Sequence, residues 1–378
     1  MKFKVSLLMT AVAIVAVGCG QSSDVVKIGH VGPISGAIAH LGKDNENGAR
    51  MAIDELNEKG VTIGGKKVKF ELVAEDDAAD PKQGTAAAQK LVDSKVNGVI
   101  GHLNSGTTIP ASKLYNDAGI PQISPSATNP KYTRQGFKTA FRVVADDTHL
   151  GGTLGKYAVN ELKGKSIAVI DDRTAYGQGV AEEFEKAVKA AGGNIVGREF
   201  TTDKATDFTA ILTTLKGKNP DIVFFGGMDA VAGPMIKQMK SLGINAKFMG
   251  GDGICTGALF KLSGETMADD QVICAEAGGV EDGGKKALED FKAAYQKKFN
   301  TKVEIYAPYV YDAVNTMVAA MQAANSTKPA DYLPKLAAIT HQGVTGTITF
   351  DEKGDIKNGA LTLRTYRGGN PVDIAVVR

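Results

Sequence analysis

The pattern that decides the fold occurs twice in one stretch, Val96–Thr128, whose sequence is VNGVIGHLNSGTTIPASKLYNDAGIPQISPSAT. A short apolar run, first Val99–Gly101 and then Ile120–Ile123, ends each time at a cluster of serine and threonine residues. Ligands of open α/β sheets bind outside the carboxyl ends of the strands, where backbone N–H groups at helix starts favour an anion. Because no lysine or arginine lies between the clusters before Lys113, the stretch predicts a small carboxylate held by neutral donors.

Strand and helix patterns alternate on both sides of this stretch, and the alternation occurs in two series. The first series begins with an apolar run at Val25–Gly32 and a helical pattern at Asn45–Lys59, and the second begins at Ile167–Asp171. Such alternation is typical of parallel, doubly wound sheets, and 378 residues are too many for one ordinary core. The sequence therefore predicts an α/β protein with two similar lobes and a boundary near Asp146.

The N-terminus has the layout of an export signal. Two lysines precede an apolar run, Val5–Val17, which is shorter than the roughly 20 residues of a membrane span. Small residues follow, and Ala16–Cys19 resembles a bacterial lipobox, whose cysteine is lipidated after cleavage. We expect residues 1–19 to be the signal, the mature protein to lie in the periplasm and Cys19 to carry a lipid, with ordinary cleavage nearby as the alternative.

Charge and cysteine content narrow the functional classes further. Without the two lysines of the signal, basic and acidic residues are equal in number at 42 each, so a nucleic-acid-binding patch is not expected. Cys255 and Cys274 remain as an even pair after Cys19 is assigned to processing. In an oxidising compartment we expect this pair to form a disulfide, and two buried free thiols are the alternative.

Signals of catalysis and of metal binding are weak. The five histidines show no HxH or HExxH spacing, and no CxxC occurs, so we expect no metal and no cofactor. A nucleophile–base pair can be imagined from Ser105 and His102, three residues apart, but satisfied polar residues at a strand end are the simpler interpretation. We therefore expect a binding protein and not an enzyme.

Hydroxyl residues at the two strand ends are the first candidates for ligand contacts. Ser105 stands where a helix is expected to begin, and a role as helix cap is compatible with anion binding, since both use the positive helix end. Ser126 and Thr128 precede Asn129–Pro130, a cap followed by proline at an expected helix start. Ordinary turn chemistry is the alternative for Ser126 and Thr128.

Two residues of the second series complete the candidate site. Asp252 lies between two glycines. There it either stabilises a turn or, if it faces the hydroxyl clusters across a cleft, pairs with an α-ammonium group. Tyr176 lies at a strand-to-helix turn and is either a wall of the cleft or an ordinary surface residue.

At these residues the sequence resembles the periplasmic leucine/isoleucine/valine-binding protein family, the type I substrate-binding proteins of ABC amino-acid importers. The resemblance covers nearly all of the mature chain, from about Lys27 to Asp355. The segments that carry it are DDAADPKQ (Asp76–Gln83), GVIGHLNSGTTIPAS (Gly98–Ser112), ISPSATNP (Ile123–Pro130), AYGQG (Ala175–Gly179), FFGG (Phe224–Gly227), YDAV (Tyr311–Val314) and TFDEKGD (Thr349–Asp355).

The resemblance implies two doubly wound parallel-sheet lobes, joined by a three-crossing hinge, that close on a ligand like a clamshell. Lobe 1 would comprise residues 24–145 and 277–361, lobe 2 residues 146–276 and 362–378, with the ligand cleft between them. Groups of lobe 1 would bind the α-carboxylate, and these are the side chains of Ser105 and Thr128 and the backbone around Ser126 and Ala127. Asp252 would bind the ammonium, where relatives often have Glu, and Tyr176 would close over the ligand.

The chain departs from the family pattern in two places. Leu41 and Met228 stand where relatives carry aromatic rings, so they and Tyr306 would shape an altered but apolar side-chain pocket. The family's cysteine pair in lobe 1 is also absent, because Ala79 and Asn104 occupy its positions.

We therefore expect a monomeric, exported binding protein that captures a branched-chain or other apolar L-amino acid and delivers it to an ABC transporter permease. A second ligand class stays open, namely amides, urea-like solutes or aromatic acids. The acid at Asp252 argues against simple carboxylates, which it would repel.

Overall fold

A computed structural model describes residues 24–280 and 282–378 of the chain. The predicted export signal and Cys19 lie outside these residues. Within the described part, no helix combines the length and the apolar character needed to cross a membrane.

The first sheet has six strands in the order β2–β3–β1–β4–β5–β6. Their bounds are β1 (Asp24–Gly32), β2 (Thr62–Ile63), β3 (Lys66–Asp76), β4 (Gly98–Gly101), β5 (Gln122–Ser124) and β6 (Ala140–Arg142). Five strands run parallel, and the short edge strand β2 runs antiparallel to β3.

The second sheet has seven strands in the order β15–β14–β11–β10–β9–β7–β8. Their bounds are β7 (Ile167–Asp171), β8 (Ile195–Phe200), β9 (Ile222–Gly226), β10 (Lys247–Gly250), β11 (Val272–Glu276), β14 (Leu361–Arg367) and β15 (Asn370–Val377). Strand β14 runs antiparallel to both of its neighbours, β11 and β15, a feature that the sequence pattern did not predict. The predicted class, two mainly parallel α/β sheets, is confirmed.

Helices connect the strands, as the alternating pattern predicted. They are α1 (Ala39–Lys59), α2 (Pro81–Asp93), α3 (Ser105–Asp117), α4 (Asp147–Asn160), α5 (Ala175–Ala190), α6 (Thr209–Lys216), α7 (Asp229–Ser241), α8 (Leu259–Leu262), α9 (Lys285–Phe299), α10 (Ala307–Ala324) and α11 (Pro329–Ala337). A small hairpin is formed by β12 (His341–Gly343) and β13 (Gly346–Ile348).

The opening stretch folds as expected in its first half and differently in its second. The four residues of β4 are all buried, and α3 follows after three residues. After β5, however, only a single 3₁₀ turn forms, at Pro130–Tyr132, in which Asn129 accepts a hydrogen bond from the N–H of Lys131. The predicted helix there is wrong: the chain makes this one turn, passes Gly136 at φ 84°, which a right-handed helix does not allow, and enters β6 at Ala140.

The chain passes three times between the sheets, and the three crossings lie side by side. The N–H of Ala145, in the first crossing, donates to the carbonyl of Ala277 in the second at 3.0 Å. The hydroxyl of Thr362, in the third, donates to the carbonyl of Gly278 at 2.8 Å. Hydrogen bonds therefore join the three crossings of the hinge to one another.

The two cysteines outside the signal meet in the second sheet. Cys274 belongs to β11, Cys255 follows the turn after β10, and their Cα atoms are 5.5 Å apart with the sulfurs in bonding contact. Both side chains are buried.

Two long helices approach each other closely on the first sheet because α1 carries a glycine at the crossing point. A Cβ atom at Gly48 would lie 2.4 Å from the backbone oxygen of Ala307, the first residue of α10. Since that oxygen belongs to the backbone, a side chain at this position must push α10 away from α1.

We predict that Gly48→Ala destabilises the protein by about 1–3 kcal/mol, because overpacking against a backbone atom outweighs the better helix propensity of alanine. Gly152→Ala is the matched control, since a Cβ atom on this helical glycine of α4 would meet nothing within 4 Å. The control should gain up to about 1 kcal/mol. Urea unfolding of the two variants measures both values, and equal effects would refute the close approach.

Candidate functional site

A small cavity lies between the carboxyl ends of the two sheets. Its walls are formed by Leu103, Asn104, Ser105, Ser126, Tyr176, Met228, Asp252 and Tyr306.

The strand ends explain why these residues meet. On the first sheet, Ser105 opens α3 shortly after β4, and Ser126 follows β5. On the second sheet, Tyr176 lies in the first turn of α5, Met228 directly precedes α7, and Asp252 follows β10. Parallel strands of one sheet end at the same edge, and here the two edges face each other across the cleft.

The wall from the first sheet is held by its own hydrogen bonds. The hydroxyl of Ser126 donates to the carbonyl of Leu103 at 3.0 Å, and that of Ser105 accepts from the N–H of Asn129 at 3.2 Å. The residue that caps α3 is Asn104 and not Ser105, which is already the first helical residue. The hydroxyl of Ser105 and the amino end of α3 therefore lie at the same point of the cavity wall.

Three predicted contacts are buried and are not among the residues that line the cavity, namely Leu41, Ala127 and Thr128. Both backbone groups of Ala127 are used within the loop: its N–H donates to Ser124 and its carbonyl accepts from Arg142. The hydroxyl of Thr128, in contrast, makes no well-formed hydrogen bond among the described residues. The roles assigned to these three residues stay predictions.

The wall from the second sheet is organised around the buried carboxylate of Asp252. The hydroxyl of Tyr176 donates to its Oδ1 at 2.8 Å, and that of Tyr306 donates to its Oδ2 at 2.9 Å. Tyr176 is fixed in turn by the N–H of Gly253, which donates to its hydroxyl at 2.9 Å. Burial raises the pKa of Asp252 to about 6, although both tyrosine hydroxyls act in the opposite direction.

A second buried acid, Asp147, was not among the predicted site residues, because its sequence context indicates only the start of a crossover. Its side chain is fully buried beside Thr128, and neither oxygen has a well-formed hydrogen bond among the described residues. Burial raises the pKa of Asp147 well above its ordinary value, and the charge of Asp252 raises it further. A cation in the cleft is favourable to both carboxylates.

The nucleophile–base pair imagined from Ser105 and His102 is not formed. The ring of His102 is bonded through Nδ1 to Asp77 at 3.0 Å and through Nε2 to the hydroxyl of Tyr115 at 3.0 Å. Both ring nitrogens are thus occupied inside the core, and His102 is a structural residue.

With this geometry in place, comparison with known proteins decides the family. Residues 25–370 match the periplasmic binding protein family. The chain belongs to this family. Leucine-specific-binding protein of Salmonella typhimurium is 35% identical over 94% of the chain and 95% of its own length. A leucine-, isoleucine-, valine-, threonine- and alanine-binding protein of Pseudomonas aeruginosa is 34% identical over 95% of each chain.

Solved structures of this family agree with the fold. The substrate-binding protein of a branched-chain amino acid transporter from Streptococcus pneumoniae, in complex with isoleucine, superposes with a TM-score of 0.83. It is 27% identical and covers 94% of this chain and 99% of its own. A leucine-binding protein from Thermotoga maritima, 24% identical over 93% of this chain and 98% of its own, has a TM-score of 0.84. Like these relatives, the chain is a binding protein and not an enzyme.

A second contact bridges the cleft of this periplasmic binding protein next to the cavity. Nε2 of His40, on α1, lies 2.8 Å from the carboxylate of Asp229, on α7, which also accepts from the hydroxyl of Thr256 at 2.6 Å. Burial alone would lower the pKa of His40, but the carboxylates of Asp229, Glu304 and Asp44 raise it above its ordinary value. No local sequence pattern indicates this contact, because its partners are 189 residues apart.

We predict that the His40–Asp229 contact stabilises the protein only while His40 is protonated. Its contribution is complete below the unfolded pKa of about 6.5 and is lost as the pH rises through the raised folded pKa. Urea unfolding at about pH 6 and about pH 9 should show that His40→Gln is less stable than the parent by about 1 kcal/mol only at the lower pH. An equal difference at both pH values would contradict an ionic contact.

Proposed function

We propose that the protein is an extracytoplasmic solute-binding protein that captures a branched-chain or other apolar L-amino acid and delivers it to an ABC importer. The observation that carries this proposal is the buried carboxylate of Asp252, which faces neutral donors across a small cavity. An amino acid carries a cation and an anion on one carbon atom, and this arrangement offers a partner to each.

The α-carboxylate of the ligand is assigned to the residues that follow the strands of the first sheet. The first N–H groups of α3 have no partner within the helix, and the hydroxyl of Ser105 lies beside them. Such a helix start binds anions without a cationic side chain, provided that several hydrogen bonds offset the loss of hydration. The hydroxyl of Thr128, which interacts with the buried carboxyl group of Asp147, is assigned to the same end.

The ammonium end of the ligand is assigned to Asp252. A buried carboxylate is costly unless it is paired, and two tyrosine hydroxyls offset only part of that cost. A ligand cation completes the pairing. A simple carboxylic acid would bring a second negative charge to the same cavity, which disfavours aromatic acids as ligands.

The names of the relatives support the ligand class. Two relatives about one-third identical to this chain are named for leucine and for a set that includes threonine and alanine, and a solved structure contains isoleucine. In this chain, Leu103 and Met228 line the cavity between the two charged ends, where a ligand side chain would lie.

Closure of the cleft is part of the proposed function. The moving bodies would be residues 24–145 with 277–361 and residues 146–276 with 362–378, rotating about the three crossings. A ligand that contacts both lobes favours the closed state by its differential affinity. The contacts Asp252–Tyr306 and His40–Asp229 cross the cleft and would break on opening.

We further propose that the protein is exported as a monomer, anchored to the membrane through a lipid on Cys19, and that Cys255 and Cys274 form a disulfide. The lipobox-like sequence and the contact between the two sulfurs support these assignments. Intact mass of the mature protein, with and without reduction, tests them. An unmodified N-terminus without Cys19, or a mass unchanged by reduction, would overturn the anchor or the disulfide respectively.

The proposed ammonium contact predicts a pH dependence of binding. Between about pH 5 and pH 7 the ligand keeps both charges, so the titration belongs to the protein. Because burial raises the pKa of Asp252 to about 6, affinity for leucine or valine should be constant near neutrality and should fall as the pH drops below that value. Isothermal titration calorimetry across this range measures the profile.

The matched variants are Asp252→Asn in the cavity and Asp117→Asn at the exposed end of α3. Asp252→Asn should bind on the order of 10- to 100-fold more weakly at neutral pH and show a flat profile, because a charge-assisted hydrogen bond is lost. Asp117→Asn should behave as the parent protein. A profile of Asp252→Asn that still falls with acid would assign the titration to another group.

A further inference from the structure

The wall of the cavity contains an amide whose oxygen atom has no partner. Asn104 lines the cavity next to Ser105. Its Oδ1 atom is buried and has no hydrogen-bond partner among the described residues. A buried acceptor without a partner is costly, so its presence in the wall requires a reason.

Helix capping does not supply that reason. Asn104 occupies the cap position of α3 with extended backbone angles, φ −82° and ψ 140°, and asparagine is among the best capping residues. Nevertheless its side chain makes no capping hydrogen bond. The N–H groups of Thr107 and Thr108 are bonded to the carbonyl of Asn104 instead, which leaves those of Ser105 and Gly106 at the helix start.

Neighbouring side chains do not donate a hydrogen bond to the Oδ1 atom of Asn104 either. The hydroxyl of Ser126 donates to a backbone carbonyl, and those of Tyr176 and Tyr306 donate to Asp252. The remaining walls near it include Leu103 and Met228, which offer no donor. Among the described residues that line the cavity, none donates a hydrogen bond to the Oδ1 atom of Asn104.

We propose that Asn104 is a specificity-determining residue that hydrogen-bonds the side chain of the ligand, so that the ligand class extends to amino acids with a short hydroxyl or amide side chain, which bind more tightly than their apolar isosteres. This inference rests on the proposed function. The carboxylate of the ligand is assigned to Ser105 and the helix start, and its ammonium to Asp252. Of the ligand's polar groups, only one on the side chain is left for the amide.

The chemistry of the pair is complementary in either orientation of the amide. Its oxygen accepts and its NH₂ group donates, while a threonine hydroxyl does both. Valine has nearly the same shape as threonine but cannot satisfy a buried amide. A site built to hydrogen-bond a ligand group discriminates strongly against an analogue that lacks it, because the buried polar group is then left unpaired.

The test compares two nearly isosteric ligand pairs, threonine with valine and asparagine with leucine, by calorimetry on the full mature protein. In the parent protein threonine should bind about tenfold more tightly than valine. In Asn104→Leu that ratio should fall about tenfold, through weaker threonine binding and equal or tighter valine binding. Asn245→Leu, the same change at an exposed position away from the cavity, should leave the ratio unchanged.

The outcomes separate the two proposals. If amino acids bind but the threonine-to-valine ratio is the same in Asn104→Leu as in the parent, Asn104 does not read the side chain and this inference is wrong. An equal loss for both ligands would assign the amide to the ligand backbone and also overturn it. Asn104→Ala, which removes the amide without adding bulk, must give the same change in ratio. If the parent binds no amino acid, the proposed function itself fails.

Discussion

The hydrogen bonds of two tyrosine hydroxyls to one buried carboxylate are the interaction on which this structure depends. Tyr176 reaches Asp252 from the same sheet, whereas Tyr306 reaches it from the start of α10, across the cleft. The two hydroxyls orient the carboxylate but do not neutralise it, as its raised pKa shows. The protein thus holds a negative charge in a small cavity, and a cationic ligand group would pair with that charge.

The residues around Asp252 fix the position of Tyr306. The carboxylate of Asp44, on α1, accepts hydrogen bonds from four successive backbone N–H groups, those of Glu304, Ile305, Tyr306 and Ala307. It thereby fixes the chain where α10 begins, and the glycine at position 48 lets α1 approach the same point closely. On the other wall, the buried guanidinium of Arg142 bonds the carbonyls of Ala127 and Asn129 and fixes the loop that carries Ser126. Neither charged side chain lines the cavity, yet both hold residues that line it or adjoin it.

Local sequence signals predicted much of this arrangement, and long-range contacts explain most of what they missed. The apolar runs and hydroxyl clusters of Val96–Thr128 are local, so the buried strand and the helix start at Ser105 followed from them. The antiparallel pairing of β14 with β11 did not, because it joins distant segments. Asp252 was found through its glycine neighbours, but its tyrosine partners lie 76 and 54 residues away. Asn104 was noted only as the place of an absent cysteine, since nothing in the sequence shows whether an asparagine caps a helix or faces a cavity.

Binding of the α-ammonium group by Asp252 is tested most directly by comparing leucine with its desamino analogue, 4-methylpentanoate. Calorimetry on the parent protein and on Asp252→Asn gives four dissociation constants. We expect the parent to prefer leucine by on the order of 100-fold and Asp252→Asn to lose most of this preference, because the group that distinguishes the two ligands has lost its partner. A preference of the same size in both proteins would contradict the ammonium contact.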